Sequence, residues 1–457
     1  MAHEQLVRLS ATSPRPEAKA STRQRVTKRR DALRARAWQD ADSAELAQRD
    51  RWPEAAEGRV PVTSPHSRFR RERDCGYAYN RYNQQPSFLS DFEVDLLPLV
   101  DGARSIDELE AEVAPERRSE VGPALRRMID LNLLRWSKTR IPDRAPTVED
   151  LRPDAISAIE RPSAPLVVHW EPTLRCNLRC ATCYNESGPK APIGVSADVV
   201  IPQLIESGVF LVTILGGEPM VDPHFYDNIR RLEEAGVGVE FVTNGWLLTD
   251  EHLERLLDTH ICQIMVSVDG AEETHDRVRG RKNSFRRAID GVRRFSDAGF
   301  DITVSLTVLR SNLEELEYMI DLSAEVGAAY MKLRPVVDSG RAKEQVETSE
   351  ALSPDDVRAY QPLLHRKIDE HGGRLQFIHV SPLPTVGACF CTRDVSDTRY
   401  RTCRQGPCFI GRKLAYLRHD GGVAAHAFVR EHVVGNITDA PLRSIWQNDD
   451  FWADVCP

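Results

Sequence analysis

Between residues 166 and 334 the chain alternates short apolar, β-branched runs with amphipathic segments, and this alternation restricts the possible folds more than any other feature. Strands are expected at 166–170, 209–215, 239–243, 261–268, 302–308 and 329–334, with helical segments such as 225–235, 285–295 and 313–326 between them. Strands separated by helices cannot pair as hairpins, and parallel neighbours need a crossover of this kind. The units therefore predict an α/β fold with a parallel sheet or barrel. In such folds the reactive groups gather at the C-terminal ends of the strands.

The loop after the first expected strand reads Cys176-Asn177-Leu178-Arg179-Cys180-Ala181-Thr182-Cys183. Ten cysteines in 457 residues are too sparse for a disulfide scaffold. They fall into this triplet, a C-terminal group (Cys389, Cys391, Cys403, Cys408 and Cys456) and two single residues, Cys75 and Cys262, of which Cys262 reads as core. The first thirty residues hold no apolar signal core and no run of about 18 apolar residues occurs, so a cytoplasmic chain with no membrane span is expected, where thiols stay reduced. Cysteines there serve as ligands, nucleophiles or core filler. Iron–sulfur clusters are normally held by four thiolates. Three on one loop can hold three irons of a cubane and leave the fourth open to an outside ligand, which makes a site for chemistry. Zinc sites usually show paired Cys-x-x-Cys units with four ligands; here three residues separate the first two cysteines and two the next, which favours a cluster.

The net charge of −8 argues against a nucleic-acid binder working by bulk electrostatics. Residues 1–37 nevertheless carry ten Lys/Arg against three Asp/Glu, a solvated basic tail that runs through Pro53, Pro61 and Pro65 to form a tail and linker over 1–66. Residues 67–150 are expected to form a small winged-helix-like unit. It comprises an extended aromatic stretch at 77–88, an apolar helix at 92–100 stopped by Asp101-Gly102, a helix opened by the Ser105/Glu108 capping box, and a third carrying Val121, Leu125, Met128 and Ile129 on one stripe. The strand–helix core spans 160–345 and a helix and strand bridge 346–380. The Pro-, Gly- and Cys-rich segment 381–457 would need metal or tight docking for order.

The triplet, its place after strand one and the motifs that follow resemble the radical S-adenosylmethionine (SAM) superfamily. The resemblance implies a partial (β/α)6 TIM-type barrel and a [4Fe-4S] cluster on Cys176, Cys180 and Cys183 whose open iron is chelated by the amine and carboxylate of SAM. One electron, from a donor such as flavodoxin or ferredoxin, then cleaves SAM to a 5′-deoxyadenosyl radical that abstracts hydrogen from substrate. Gly216-Gly217-Glu218-Pro219 ends the second strand and is implied to bind the SAM amine, the glycines permitting close approach and the carboxylate accepting from ammonium. Thr243-Asn244-Gly245 ends the third strand and Ser267-Val268-Asp269-Gly270 the fourth. Members of the family use a Ser such as Ser267 for the ribose and an Arg such as Arg279 for the carboxylate, to which guanidinium is suited. Family members often carry an aromatic residue before the third cysteine; Thr182 stands there instead, and Tyr184 is the substitute for adenine contact.

Two further resemblances flank the core. Twelve residues separate Cys408 from Gly421 and four separate Gly421 from His426, similar to the opening of the SPASM extension of peptide-modifying radical SAM enzymes, with His426 in place of its second cysteine. Imidazole ligates iron in Rieske-type centres. The implied single auxiliary cluster would use Cys403, Cys408, His426 and Cys456, with Cys389 and Cys391 as competing ligands; a zinc site or a cluster-free remnant stays open. The stretch from Asp101 to Leu109 and Leu131-Asn132-Leu133-Leu134 resemble the PqqD-like peptide-recognition domain, which binds a precursor's leader by adding it as a strand. A DNA-binding winged helix fits less well, because Arg117, Arg118, Arg126 and Arg127 are interleaved with Glu116, Glu120 and Asp130. The expected protein is a radical SAM enzyme that modifies a ribosomally made precursor peptide. The alternatives are the same chemistry on a small molecule such as a tetrapyrrole, or a winged-helix regulator sensing iron or redox state.

Overall fold

In the computed structural model, which describes residues 59–64, 67–73, 75–80, 86–137, 140, 148–150, 162–336, 339–347, 350–372, 374–380, 413–427 and 430–448, the aromatic N-terminal stretch folds into a small sheet. Strands β1 (Val60–Thr63), β2 (Ser67–Arg71), β3 (Cys75–Asn80) and β4 (Ser87–Ser90) lead into helices α1 (Asp91–Leu96), α2 (Ile106–Glu112) and α3 (Arg118–Asp130), and β5 (Leu134–Ser137) and β6 (Val148–Asp150) follow. The sheet order is β4-β3-β2-β6, while β1 pairs with β5. Ser90 with Glu93 and Ser105 with Glu108 close capping boxes that satisfy first-turn amides of α1 and α2. Helical spacing aligns Val121, Leu125 and Met128 on α3, where they meet Leu89, Phe92, Leu97 and Leu109 in one core. Three helices on a short sheet make the unit winged-helix-like.

The core then alternates strand and helix: β7 (Val167–Thr173), α4 (Ala197–Glu206), β8 (Leu211–Gly216), α5 (Phe225–Glu234), β9 (Gly238–Thr243), α6 (Asp250–Leu256), β10 (Gln263–Ser267), α7 (Glu272–Arg279), α8 (Ser284–Asp297), β11 (Ile302–Val308), α9 (Leu316–Glu325), β12 (Tyr330–Pro335), α10 (Ala342–Glu347), α11 (Pro354–His371) and β13 (Gln376–Val380). The C-terminal part adds β14 (Leu414–Leu417), β15 (Gly422–Ala424), β16 (Gly435–Asn436) and α12 (Leu442–Trp446). Strands β7 to β13 are parallel in sequence order, and β14 joins the open edge of β7, also parallel, before β15 and β16 turn antiparallel. The result is a mostly parallel, curved α/β sheet of the partial TIM type, extended on one side by the C-terminal strands.

Period-two alternation decides the two faces of this sheet. Val168, Trp170, Val212, Ile214, Val239, Phe241, Ile264, Val266, Val304 and Leu333 face the helices and share one continuous core with residues such as Phe225, Phe285, Ile289, Val292 and Phe295. Each such side chain stabilises the fold by about 1.5–3 kcal/mol through burial. The opposite face carries His169, Glu171, Thr213, Glu240, Ser267, Ser305, Lys332 and Arg334, and so lines a polar interior.

The N-terminal unit is clasped to the strands' starting ends. Arg70 and Glu72, both fully buried, pair at 3.0 Å. Arg70 also donates to the carbonyls of Ala164 (2.9 Å) and Gly208 (3.2 Å), and Glu72 accepts from the Ser163 amide (3.2 Å). Tyr79 stacks on Phe210 at 6.1 Å, and its hydroxyl lies 3.2 Å from the Cys262 sulfur. Tyr77, Tyr79, Leu166, Phe210, Leu211 and Leu414 form a core shared by the two units.

Candidate active site

The triplet loop leaves β7 at the strand's C-terminal end, opposite the clasp. Its backbone is pinned on both sides: the Cys176 amide donates to Gly188 (3.1 Å) and the Ala181 amide to Val278 (2.8 Å). Cys176 is buried, and Cys180 and Cys183 are half-buried. Donors converge on the sulfurs. The Leu178 amide lies 3.4 Å from Cys176 Sγ, Asn244 Nδ2 lies 3.7 Å from the same atom, and Arg279 Nη1 lies 3.7 Å from Cys180 Sγ. Burial pushes the Cys176 thiol up to about 12, helped by the Glu218 carboxylate, and burial raises Cys180 as well. Three thiolates this enclosed need a cation among them. A triplet of thiols on one loop with backbone and guanidinium donors aimed at sulfur fits an iron–sulfur cluster, whose sulfurs accept such bonds.

The segment after β8 runs alongside this loop. Gly217 donates to Thr173 (2.8 Å) and Glu218 to Arg175 (2.9 Å). The approach requires glycine: Gly216 has φ +113°, and a Cβ on Gly217 would collide with the Arg175 carbonyl. Pro219 opens a short 3₁₀ turn behind them. The Glu218 carboxylate is fully buried, and it accepts from Thr243 Oγ1 (2.8 Å), the Asn244 amide (2.8 Å) and the Met220 amide (3.3 Å). Burial nevertheless pushes it up to about 7 against those bonds, so an additional cationic partner would stabilise the ionised form. Asn244 also reaches Asn177 Oδ1 at 2.8 Å and so ties the end of β9 to the cysteine loop.

Ser267 ends β10, buried on the inner face. Asp269 lies just beyond it, accepts from the Thr307 amide (3.0 Å) and pairs with Arg279 at 2.7 Å. Burial opposes the Arg279 charge, but Asp269 and Cys180 more than offset it and hold the guanidinium cationic. The structure thus brings Cys176, Cys180, Cys183, Gly216, Gly217, Glu218, Pro219, Asn244, Ser267, Asp269 and Arg279 to one end of one sheet. Tyr184 follows the triplet directly, its hydroxyl 3.1 Å from that of Tyr416.

That tyrosine belongs to a network the sequence reading missed. Glu171, fully buried on β7, accepts from Asn185 Nδ2 (2.7 Å) and from the Tyr416 hydroxyl, and pairs with Arg430 at 3.1 Å. It ties the cysteine loop to the C-terminal strands. The available signal was a carboxylate inside an apolar strand, which must find partners when buried. His426 follows β15, with its ring 6.1 Å from that of His169. Cys389, Cys391, Cys403, Cys408 and Cys456 lie outside the described residues.

Residues 170–323 match the radical SAM superfamily. The chain is 30% identical over 318 residues to the mycofactocin maturase MftC of Mycobacterium tuberculosis, covering 66% of this chain and 76% of that one. It is 29% identical over 303 residues to the AdoMet-dependent heme synthase of Methanosarcina barkeri, covering 64% and 84%. In fold it is similar to Streptococcus suis SuiB in complex with its precursor peptide SuiA, with a TM-score of 0.61 at 17% identity over 87% of this chain and 90% of that one. The chain belongs to the radical SAM superfamily, and is an enzyme whose cofactors are a [4Fe-4S] cluster and SAM.

Proposed function

We propose that the protein is a cytoplasmic maturase that modifies a ribosomally synthesised precursor peptide. The observation that carries this reading is the N-terminal unit fused to the core, whose edge strand β4 borders helix α3. Two relatives, the mycofactocin maturase MftC and the antilisterial bacteriocin subtilosin biosynthesis protein AlbA of Bacillus subtilis, support it. In this reading Cys176, Cys180 and Cys183 hold the cluster, Gly216, Gly217, Glu218 and Pro219 receive the SAM amine, Ser267 the ribose and Arg279 the carboxylate. When bound, the cofactors supply one-electron cleavage of SAM for hydrogen abstraction. The chain's own residues fix the loops: Asn244 ties Glu218 to the cysteine loop, and Asp269 orients Arg279. An auxiliary cluster on Cys403, Cys408, His426 and Cys456, with Cys389 and Cys391 in competition, is part of the same proposal.

The β4 edge gives the test. The Phe88 carbonyl accepts from Arg127 Nη2 at 2.6 Å, so at this residue the strand's backbone faces α3 rather than β3. An added leader strand would pair there. Proline is tolerated on an edge whose N–H faces outward, but it cannot donate to a new strand. Phe88→Pro should therefore weaken binding of the precursor peptide about tenfold or more, one or two lost backbone bonds at about 1 kcal/mol each plus the steric block. Cleavage of SAM without peptide should stay unchanged. Unchanged peptide affinity, or no mass change in any small peptide encoded beside the gene after coexpression, would favour the second reading. That reading is a small-molecule substrate such as a tetrapyrrole, and the heme synthase relative is the observation that favours it.

The electron donor is proposed to be an acidic flavodoxin or ferredoxin. In a chain of net charge −8, residues 277–289 contain six Lys/Arg and no acid. Arg281 donates to the Asn177 carbonyl at 3.1 Å, which places this basic, exposed turn directly on the cysteine loop. Arg281 and Arg287 also stack on Trp246. Charge reversal at the exposed Arg277 and Lys282 should slow flavodoxin-driven SAM cleavage about tenfold at low salt while leaving the dithionite-driven rate alone. Equal losses with both reductants would refute this docking face.

A further inference from the structure

The interior of the sheet holds two cations, Lys332 and Arg334, two residues apart on one strand. Val304, Met331 and Leu333 pack into the helix-side core, so alternation turns Ser305, Lys332 and Arg334 inward, and the register sets Lys332 beside Ser305 and Arg334 beside Thr307. Both cations are partly exposed although their strand neighbours are buried, so the interior is open to solvent at this point. Of the nearby carboxylates, Asp269 pairs with Arg279 (2.7 Å) and Glu171 with Arg430 (3.1 Å), while Glu240 accepts from Thr213 Oγ1 (2.6 Å) and acts on Lys332 through its charge alone. Around the two cations Arg334 Nε, Ser305 Oγ, Thr303 Oγ1 and Gln263 Nε2 are buried without hydrogen-bond partners, and Ser305 and Thr303 are fully enclosed.

Orphaned buried polar atoms and like charges two residues apart on one strand face cost several kcal/mol unless something answers them. Burial, together with the neighbouring Arg334, pushes Lys332 down to about 8, while Glu240 opposite is itself raised by burial. Arg334 feels Asp269 and Arg279, so this cationic pair adjoins the strand-end site. Both elements suit one ligand chemistry, since a guanidinium fork and an ammonium point charge complement a carboxylate.

We propose that Lys332 and Arg334, with the Ser305 hydroxyl, form a subsite for a carboxylate of the substrate, either an Asp or Glu side chain or the C-terminal carboxylate of the peptide segment being modified. This rests on the peptide reading above. A second source of the same chemistry is the SAM carboxylate, and the experiment separates the two. In the cluster-loaded full chain, lysines are reductively methylated with formaldehyde and read one by one by mass spectrometry, in the presence of malonate, malonamide or SAM. Malonate at about four times its Kd should slow methylation of Lys332 about fivefold, with saturating SAM present or absent. Malonamide should not, and the exposed Lys282 and Lys343 should react at a constant rate throughout. Equal Lys332 rates in malonate and malonamide would overturn the subsite. Full protection by SAM alone, with nothing added by malonate, would assign the carboxylate to the cofactor and equally overturn it. No peptide takes part in the measurement, so failure here leaves the maturase reading standing.

Discussion

Replacing Cys176, Cys180 and Cys183 together with Ala should reduce reductive SAM cleavage to the uncatalysed background, read as loss of 5′-deoxyadenosine formation after anaerobic reconstitution. The donors around the loop reach two of its sulfurs. The Leu178 amide and Asn244 Nδ2 face Cys176, and Arg279 faces Cys180. Alanine removes both the ligands and the acceptors of those bonds while leaving the loop's backbone bonds to Gly188 and Val278 intact. The variant should therefore fold. Its residual iron then reports on the C-terminal cysteines separately: about one cluster per chain if an auxiliary site exists, none if that segment holds no metal. Undiminished cleavage in the triple variant would remove the triplet from the chemistry.

The second large effect concerns stability. Arg70→Met should cost about 3–5 kcal/mol, because it leaves the fully buried Glu72 without its cation, strands the Ala164 and Gly208 carbonyls and takes a guanidinium off the Phe210 ring. Denaturant midpoints measured with an unchanged slope would show it. The double replacement Arg70→Met with Glu72→Leu should recover the part of the loss due to the unpaired carboxylate, while the Ala164 and Gly208 carbonyls and the Ser163 amide stay without their partners. A loss below about 1 kcal/mol in the single variant would mean that the pair is solvated in solution and contributes as little as a surface ion pair. The shared core also bears on truncation. Cutting the chain before the barrel would expose Phe210, Leu166 and Leu414, so Phe88→Pro, which takes from that core only the ring packed on Tyr77, is the milder probe of peptide recognition.

What could be read from the sequence was what is local. Residues 302–308, ITVSLTV, alternate so regularly that the expected strand and β11 coincide, and the Ser105 capping box marked the start of α2 because its two hydrogen bonds span only three positions. The motif pieces at the strand ends could be placed together because parallel strands of known order bring their ends together. Contacts between distant positions leave no such trace. Glu171 meets Tyr416 across 245 positions and Arg430 across 259, and β14 lies beside β7, so the C-terminal part's entry into the core sheet was not foreseeable from period or composition. Lys332 and Arg334 were hidden for a related reason. Two cations two residues apart read as a solvated strand end until the register assigns that face to the interior.

The clasp sets a distance as well as a bond. Arg70, Glu72 and Tyr79 hold the N-terminal unit at the starting ends of the strands, while the cysteine loop leaves β7 at its far end, seven residues away, or about 23 Å at 3.3 Å per residue. A peptide anchored on β4 and altered beside that loop must cross at least this length, which takes no fewer than about seven extended residues before any detour around the sheet edge. Under the proposed anchoring of a leader on β4 the enzyme would act as a ruler: shortening the spacer of a precursor below that span should carry the reactive residue out of reach however tightly its leader is held, whereas lengthening it adds a loop whose closure costs only about 0.6 kcal/mol per doubling.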